Sequence, residues 1–89
     1  MTLSEQHLKT IQTDFSDENL PIVIAELEQI SRAQTMESAE NLENVLGAIL
    51  SLSKGNVAEL RNLVAAAKRD FRDVLYWWYL DNKKTNHPE

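Results

Sequence analysis

Asn56-Val57-Ala58-Glu59-Leu60-Arg61-Asn62-Leu63-Val64 runs on through Ala65 to Lys68 and then into Asp70-Phe71-Arg72-Asp73-Val74-Leu75-Tyr76-Trp77-Trp78-Tyr79-Leu80. This stretch holds both Trp, both Tyr and one of the two Phe, so the core and any adhesive surface must be built around it. Val57, Leu60, Leu63, Val64 and Ala67 recur with the helical period and predict a core stripe. Asn56 and Glu59 have the spacing of a capping box, which starts that helix directly after Gly55. Asp70, with Asp73 three residues on, has the form of a second N-cap, so a break is expected near Arg69. The competing reading is one unbroken helix from Val57 to Leu80, because positions 57, 60, 64, 67, 71, 74 and 78 keep heptad spacing.

Working backwards, Gly55 is where a left-handed residue would close a preceding helix, with Lys54 favourable at its C-terminal dipole. Gly55→Val is therefore expected to cost about 1 kcal/mol or more. That third helix carries Ala39, Leu42, Val45, Leu46, Ile49 and Leu50 inward, and Arg32 to Ser38 reads as a linker. Leu20, Val23, Ile24, Leu27 and Ile30 form the buried face of a second helix, with Pro21 in its first turn, where a missing amide is harmless. A first helix opens on Thr2 and Glu5 as a capping box and places Leu8, Ile11 and Phe15 on one stripe. No segment alternates at period two. The expected fold is all-α: a single small domain of about five short helices over residues 1–80, the last two joined by the Asp-Phe-Arg-Asp junction. A flexible polar tail is expected over 81–89, which contains no apolar residue.

At 89 residues the chain is one domain, with a stability on the order of 3–6 kcal/mol unless association adds to it. The absence of Cys removes disulfides and thiolate metal sites. No apolar run approaches the roughly 20 residues that span a bilayer. Met1-Thr2-Leu3-Ser4-Glu5 lacks the basic start and apolar stretch of a signal peptide, and the expected location is the cytoplasm. The net charge of −5 is uneven. Residues 1–53 hold nine acids against Lys9 and Arg32, whereas residues 54–89 hold seven bases against five acids. An acidic first half disfavours nucleic acid, whose phosphates supply the main attraction in such binding. It suits a solvated face or a basic protein target.

Catalytic signatures are absent from the sequence. His7 and His87 have no metal-site spacing and are expected to be solvent-exposed. No Ser lies in a Gly-flanked turn, and Gly47 and Gly55 form no phosphate loop. The turn at Gly55 is too abrupt for a helix-turn-helix DNA reader. The chain is accordingly expected to be non-enzymatic, without cofactor or metal. Arg72 and Asp73, with Asp70 near, form the one dense charged cluster inside an apolar region. Its structural reading is a cap and ion pair fixing the angle between the last two helices. Its functional reading is a small-ligand or catalytic site in which Arg72 grips a carboxylate or phosphate.

The aromatic run is the stronger lead. Four consecutive aromatics turn through all sides of a helix, so one core cannot bury them all. Trp78 continues the Phe71-Val74-Leu75 side and is expected in the core, with Trp77 about 100° away around the helix. Trp78→Ala should then cost roughly 3–5 kcal/mol and Trp77→Ala less than about 2. Alternatively, helices one and two wrap this helix and bury both Trp. Exposed Trp and Tyr are enriched among interface anchors, so Tyr76, Trp77, Tyr79, Arg72 and Asp73 constitute the candidate interaction surface. The leading expectation is a protein-interaction module, with self-association into a homodimer through this helix as one form of it. A small acidic inhibitor, an immunity-type protein or nucleic-acid mimic that binds a basic target, is the alternative.

The stretch from Ala48 to Arg61, together with Ala66 to Leu75, resembles a group of short uncharacterised bacterial helical proteins. Those share an "LS-K-G-(D/N)-x-x-x-L-R" turn and an "A-K-x-D-(aromatic)-R-D-(V/L)-L" turn. The resemblance covers mainly the C-terminal half, implies a helix junction at Asp70-Phe71-Arg72-Asp73 and a bacterial cytoplasmic origin, and brings no activity or site residues with it.

Overall fold

The computed structural model describes residues 3–85. Among them lie five α-helices and no strand: α1 Glu5–Asp14, α2 Leu20–Leu27, α3 Ala39–Ser53, α4 Val57–Arg69 and α5 Phe71–Thr85. Two 3₁₀ turns, Asp17–Asn19 and Arg32–Thr35, complete the connections. The all-α expectation holds. Thr2, the remainder of the expected tail at 86–89, and His87 with it, lie outside the described residues. Within them α5 continues to Thr85, five residues past the Leu80 boundary drawn from the loss of apolar residues.

Helix α3 is the hub, packing against α1, α4 and α5, while α2 packs on α4. Its inward residues Val45, Leu46, Ala48, Ile49 and Leu50 are fully buried. They meet Ile11, Val23, Leu27, Leu60, Val64 and Val74 in one continuous core. These are aliphatic side chains at helical spacing, each worth about 1.5–3 kcal/mol when removed from water.

Caps fix where each helix starts. Ser4 caps α1: its hydroxyl accepts from the His7 amide at 3.2 Å. Ser38 accepts from the Asn41 amide at 3.0 Å to start α3, and Asn56 accepts from the Glu59 amide at 2.9 Å to start α4. Each satisfies an amide that a helix leaves unpaired at its N-terminus. The expected linker at 32–38 is more ordered than its composition suggests. Thr35 is fully buried and its hydroxyl spans the turn, 3.3 Å from both the Arg32 and Ser38 carbonyl oxygens. Met36 and Glu37 then reverse the chain with left-handed φ of 59° and 57°.

Two left-handed residues also separate α3 from α4: Lys54 at φ 50° and Gly55 at φ 82°. Lys54 is the residue that closes α3, and Gly55 adds a second left-handed step. A Cβ on Gly55 would stand 2.7 Å from the carbonyl oxygen of Asp14. Gly55 is thus required twice, by its backbone angle and by the close approach of the end of α1.

Candidate interaction surface

Asp70 breaks α4 from α5, as the capping pattern predicts. It is extended, at φ −162°, and its Oδ1 accepts from the Arg72 amide at 3.1 Å. The Arg72 guanidinium closes on the same carboxylate, with Nε 2.9 Å from Oδ1 and Nη2 3.0 Å from Oδ2. This two-point grip fits the planar fork of Arg to a carboxylate. It holds the Asp70 carboxyl below its ordinary pKa, chiefly through the side-chain hydrogen bonds, and raises that of Arg72. The sequence grouped Arg72 with Asp73; the geometry joins Arg72 to Asp70. The guanidinium is therefore engaged by the junction itself.

A pH dependence follows. Because the folded-state pKa of Asp70 is lowered, its contribution is complete above the unfolded carboxyl value of about 3.9 and is lost as pH falls through the folded value. Arg72 stays charged throughout that range. In urea titrations, wild type is expected to exceed Asp70→Asn in stability at neutral pH, and the gap should close in acid as the Asp70 carboxylate becomes protonated. A gap that persists there would show that the charge of Asp70 is not what stabilises the junction.

Beyond the junction, α5 turns two faces to different surroundings. Phe71 and Val74 are buried and Leu75 partly so, packed on α3 and α4. Tyr76 is 59 % exposed, Trp77 41 %, Trp78 37 %, Tyr79 55 % and Leu80 39 %. Neither α1 nor α2 wraps this helix, so the arrangement that buries both Trp is not the one formed. Trp78 is also not the core residue its register implied. Its indole borders an open groove between α1, α3 and α5, lined by His7, Thr10, Asn44, Gly47 and Ser51. Small residues on α3 leave that groove unfilled, and the ring stays partly wet.

Trp77→Ala and Trp78→Ala are consequently expected to cost similar amounts, about 1–2 kcal/mol each, since both rings are only partly buried. Urea midpoints of the two variants check this. A loss above about 3 kcal/mol for Trp78 alone would restore it to the core.

His7 departs from expectation in the other direction. It is buried rather than solvent-exposed, with Nε2 3.5 Å from a carboxylate oxygen of Glu43 and Nδ1 lacking a hydrogen-bond partner. Its ring lies against Gly47, where a Cβ would stand 3.4 Å from Nε2, an ordinary contact distance. No group of His and acidic residues positioned to hold a metal occurs among the described residues. No described helix is long and apolar enough to cross a membrane.

Of the candidate surface residues, Tyr76, Trp77, Tyr79, Arg72 and Asp73 are all exposed on α5. Leu80, which the sequence reading left out, belongs with them. At about 100° per residue, Tyr76, Leu80 and Asp73 share one stripe directly opposite the buried Phe71–Val74 side, with Trp77 and Tyr79 on its flanks. No family model, curated protein or solved structure matches the chain.

Proposed function

We propose that this protein is a non-enzymatic interaction module that binds another protein through the outward face of α5. The observation that carries the reading is the exposure of Tyr76, Trp77 and Leu80 on a helix whose other side is already filled by its own core. Leaving three large side chains in water on one helix costs solubility unless a partner covers them. Tyr and Trp are suited to that role because they are stiff, bury much area and keep a polar edge. The Asp70–Arg72 grip supports it from below by fixing the start of α5. In this proposal the protein acts in the cytoplasm and is grouped with the short bacterial helical proteins its motifs resemble.

The test is photo-crosslinking from a benzophenone amino acid at position 76 of the full chain in the expressing cell, with Glu40 on α3 as the control site. Covalent protein adducts from position 76 and none from position 40 are expected. Absence of any adduct from position 76 would overturn the reading.

A further inference from the structure

The groove between α1, α3 and α5 has the chemistry of a ligand site. Glu43, Gly47 and Ser51 follow one another at four-residue intervals and so form one stripe along α3. Gly47 has no side chain, and the middle of that stripe is a trough with α1 and α5 as its walls. The trough holds about 500 Å³, inside the range of roughly 300–1,000 Å³ that small-molecule sites occupy. Trp78, 37 % exposed, supplies an aromatic surface from α5. Around it stand hydroxyls and amides: Gln6 and Thr10 from α1, Asn44 and Ser51 from α3, and Asn82 from α5. The Thr10 hydroxyl donates to the Gln6 carbonyl oxygen at 3.1 Å and keeps its acceptor sites. The side chains of Gln6, Asn44, Ser51 and Asn82 have no hydrogen-bond partner among the described residues.

His7 adds polar capacity that the fold leaves unspent. It is 7 % exposed and lines this groove. Its Nδ1 has no partner, and Nε2 reaches Glu43 at 3.5 Å, long for a hydrogen bond. Buried polar atoms are ordinarily paired, so an imidazole in this state beside a groove points to a missing polar partner. We propose that the groove is a binding site for a neutral pyranose sugar. The sugar ring packs on Trp78, and its hydroxyls are read by the amides and hydroxyls of the three helices, by Glu43 and by His7.

The chemistry selects this class over others. One face of a pyranose is a patch of weakly positive C–H groups, which suits the negative face of an indole. Its rim is a circle of hydroxyls, each donor and acceptor at once, which suits side-chain amides and hydroxyls that also do both. A nucleobase confines its polar atoms to one plane, whereas these partners come from three helices around the groove. An anionic ligand meets Glu43 and Asp14, while Lys54 at the far end is already paired with Asp81 at 3.5 Å. The site is separate from the outward stripe, because position 78 lies about 160° around the helix from both Tyr76 and Leu80. A shallow groove with one aromatic wall predicts a Kd in the millimolar range.

Nuclear magnetic resonance titration of the full chain with glucose, galactose and N-acetylglucosamine, each separately, tests this, with adenosine as the counter-probe. At least one sugar should give saturable shifts at the Trp78 indole N–H, the His7 ring nitrogens and the Gly47 and Ser51 amides. Trp78→Ala and His7→Phe should each weaken that binding about tenfold, with the fold checked by circular dichroism. Trp78 is only partly buried, so its variant keeps the test decisive if His7→Phe fails to fold. Arg61→Ala, on α4 away from the groove, should leave the Kd unchanged. No saturable shift with any of the three sugars would overturn the proposal. So would shifts with adenosine alone, or sugar binding that Trp78→Ala leaves intact. None of these results bears on crosslinking from position 76.

Discussion

Leu46→Ala is expected to remove about 3–4 kcal/mol of unfolding free energy, enough to bring a chain of this size to the edge of folding. Leu46 is fully buried on α3, the helix that packs against α1, α4 and α5 together. Truncating it removes apolar contact and leaves a cavity, and neighbours held on three sides have little freedom to collapse into the space. Leu52, on the same helix but only partly buried, is the internal comparison, and Leu52→Ala should cost less than about 2 kcal/mol. Urea midpoints at constant slope measure both. Equal losses would show that α3 is not the centre of the packing.

The second large effect belongs to Gly55→Val, which should cost about 3 kcal/mol or more rather than the 1 kcal/mol that backbone angle alone implies. A β-branched residue at φ 82° is strained in itself. The new Cβ would also stand 2.7 Å from the Asp14 carbonyl oxygen, a backbone atom at the end of α1 that cannot rotate aside. Relief requires α1 to move off the α3–α4 turn, which opens the core around Ile11 and Phe15. Gly55→Ala should be milder than Val but still destabilising, because the contact is with the first side-chain atom. An unchanged urea midpoint for Gly55→Ala would mean that the approach of Asp14 is not a constraint on the fold.

Sequence chemistry is legible where structure is decided within a few residues. The Gly55–Asn56 junction and the break at Asp70 both follow from side chains that satisfy amides two or three positions away. The core stripes of α3 and α4 follow from helical period alone. The Ser4 cap of α1, also three residues from the amide it satisfies, is equally local. What depends on packing between distant segments is not written locally. Burial of His7 sets its ring against Gly47, forty residues away. Exposure of Trp78 needs α1 to stand apart from α5 across a groove that small residues do not fill. The left-handed Met36 and Glu37 carry no Gly or Asn to announce the turn, whose geometry is held by buried Thr35. For the candidate surface, register placed Tyr76 and Trp77 correctly in the open, but Leu80 was hidden by its likeness to a core residue.

The most direct test of the account is crosslinking from a benzophenone amino acid at position 80 in the expressing cell, with and without Tyr76→Asp. An interface on the outward face of α5 predicts covalent protein adducts from position 80, and their loss in Tyr76→Asp with the fold intact by circular dichroism. Absence of adducts from position 80, or adducts that Tyr76→Asp leaves intact, would contradict the claim that the outward face of α5 is the interface.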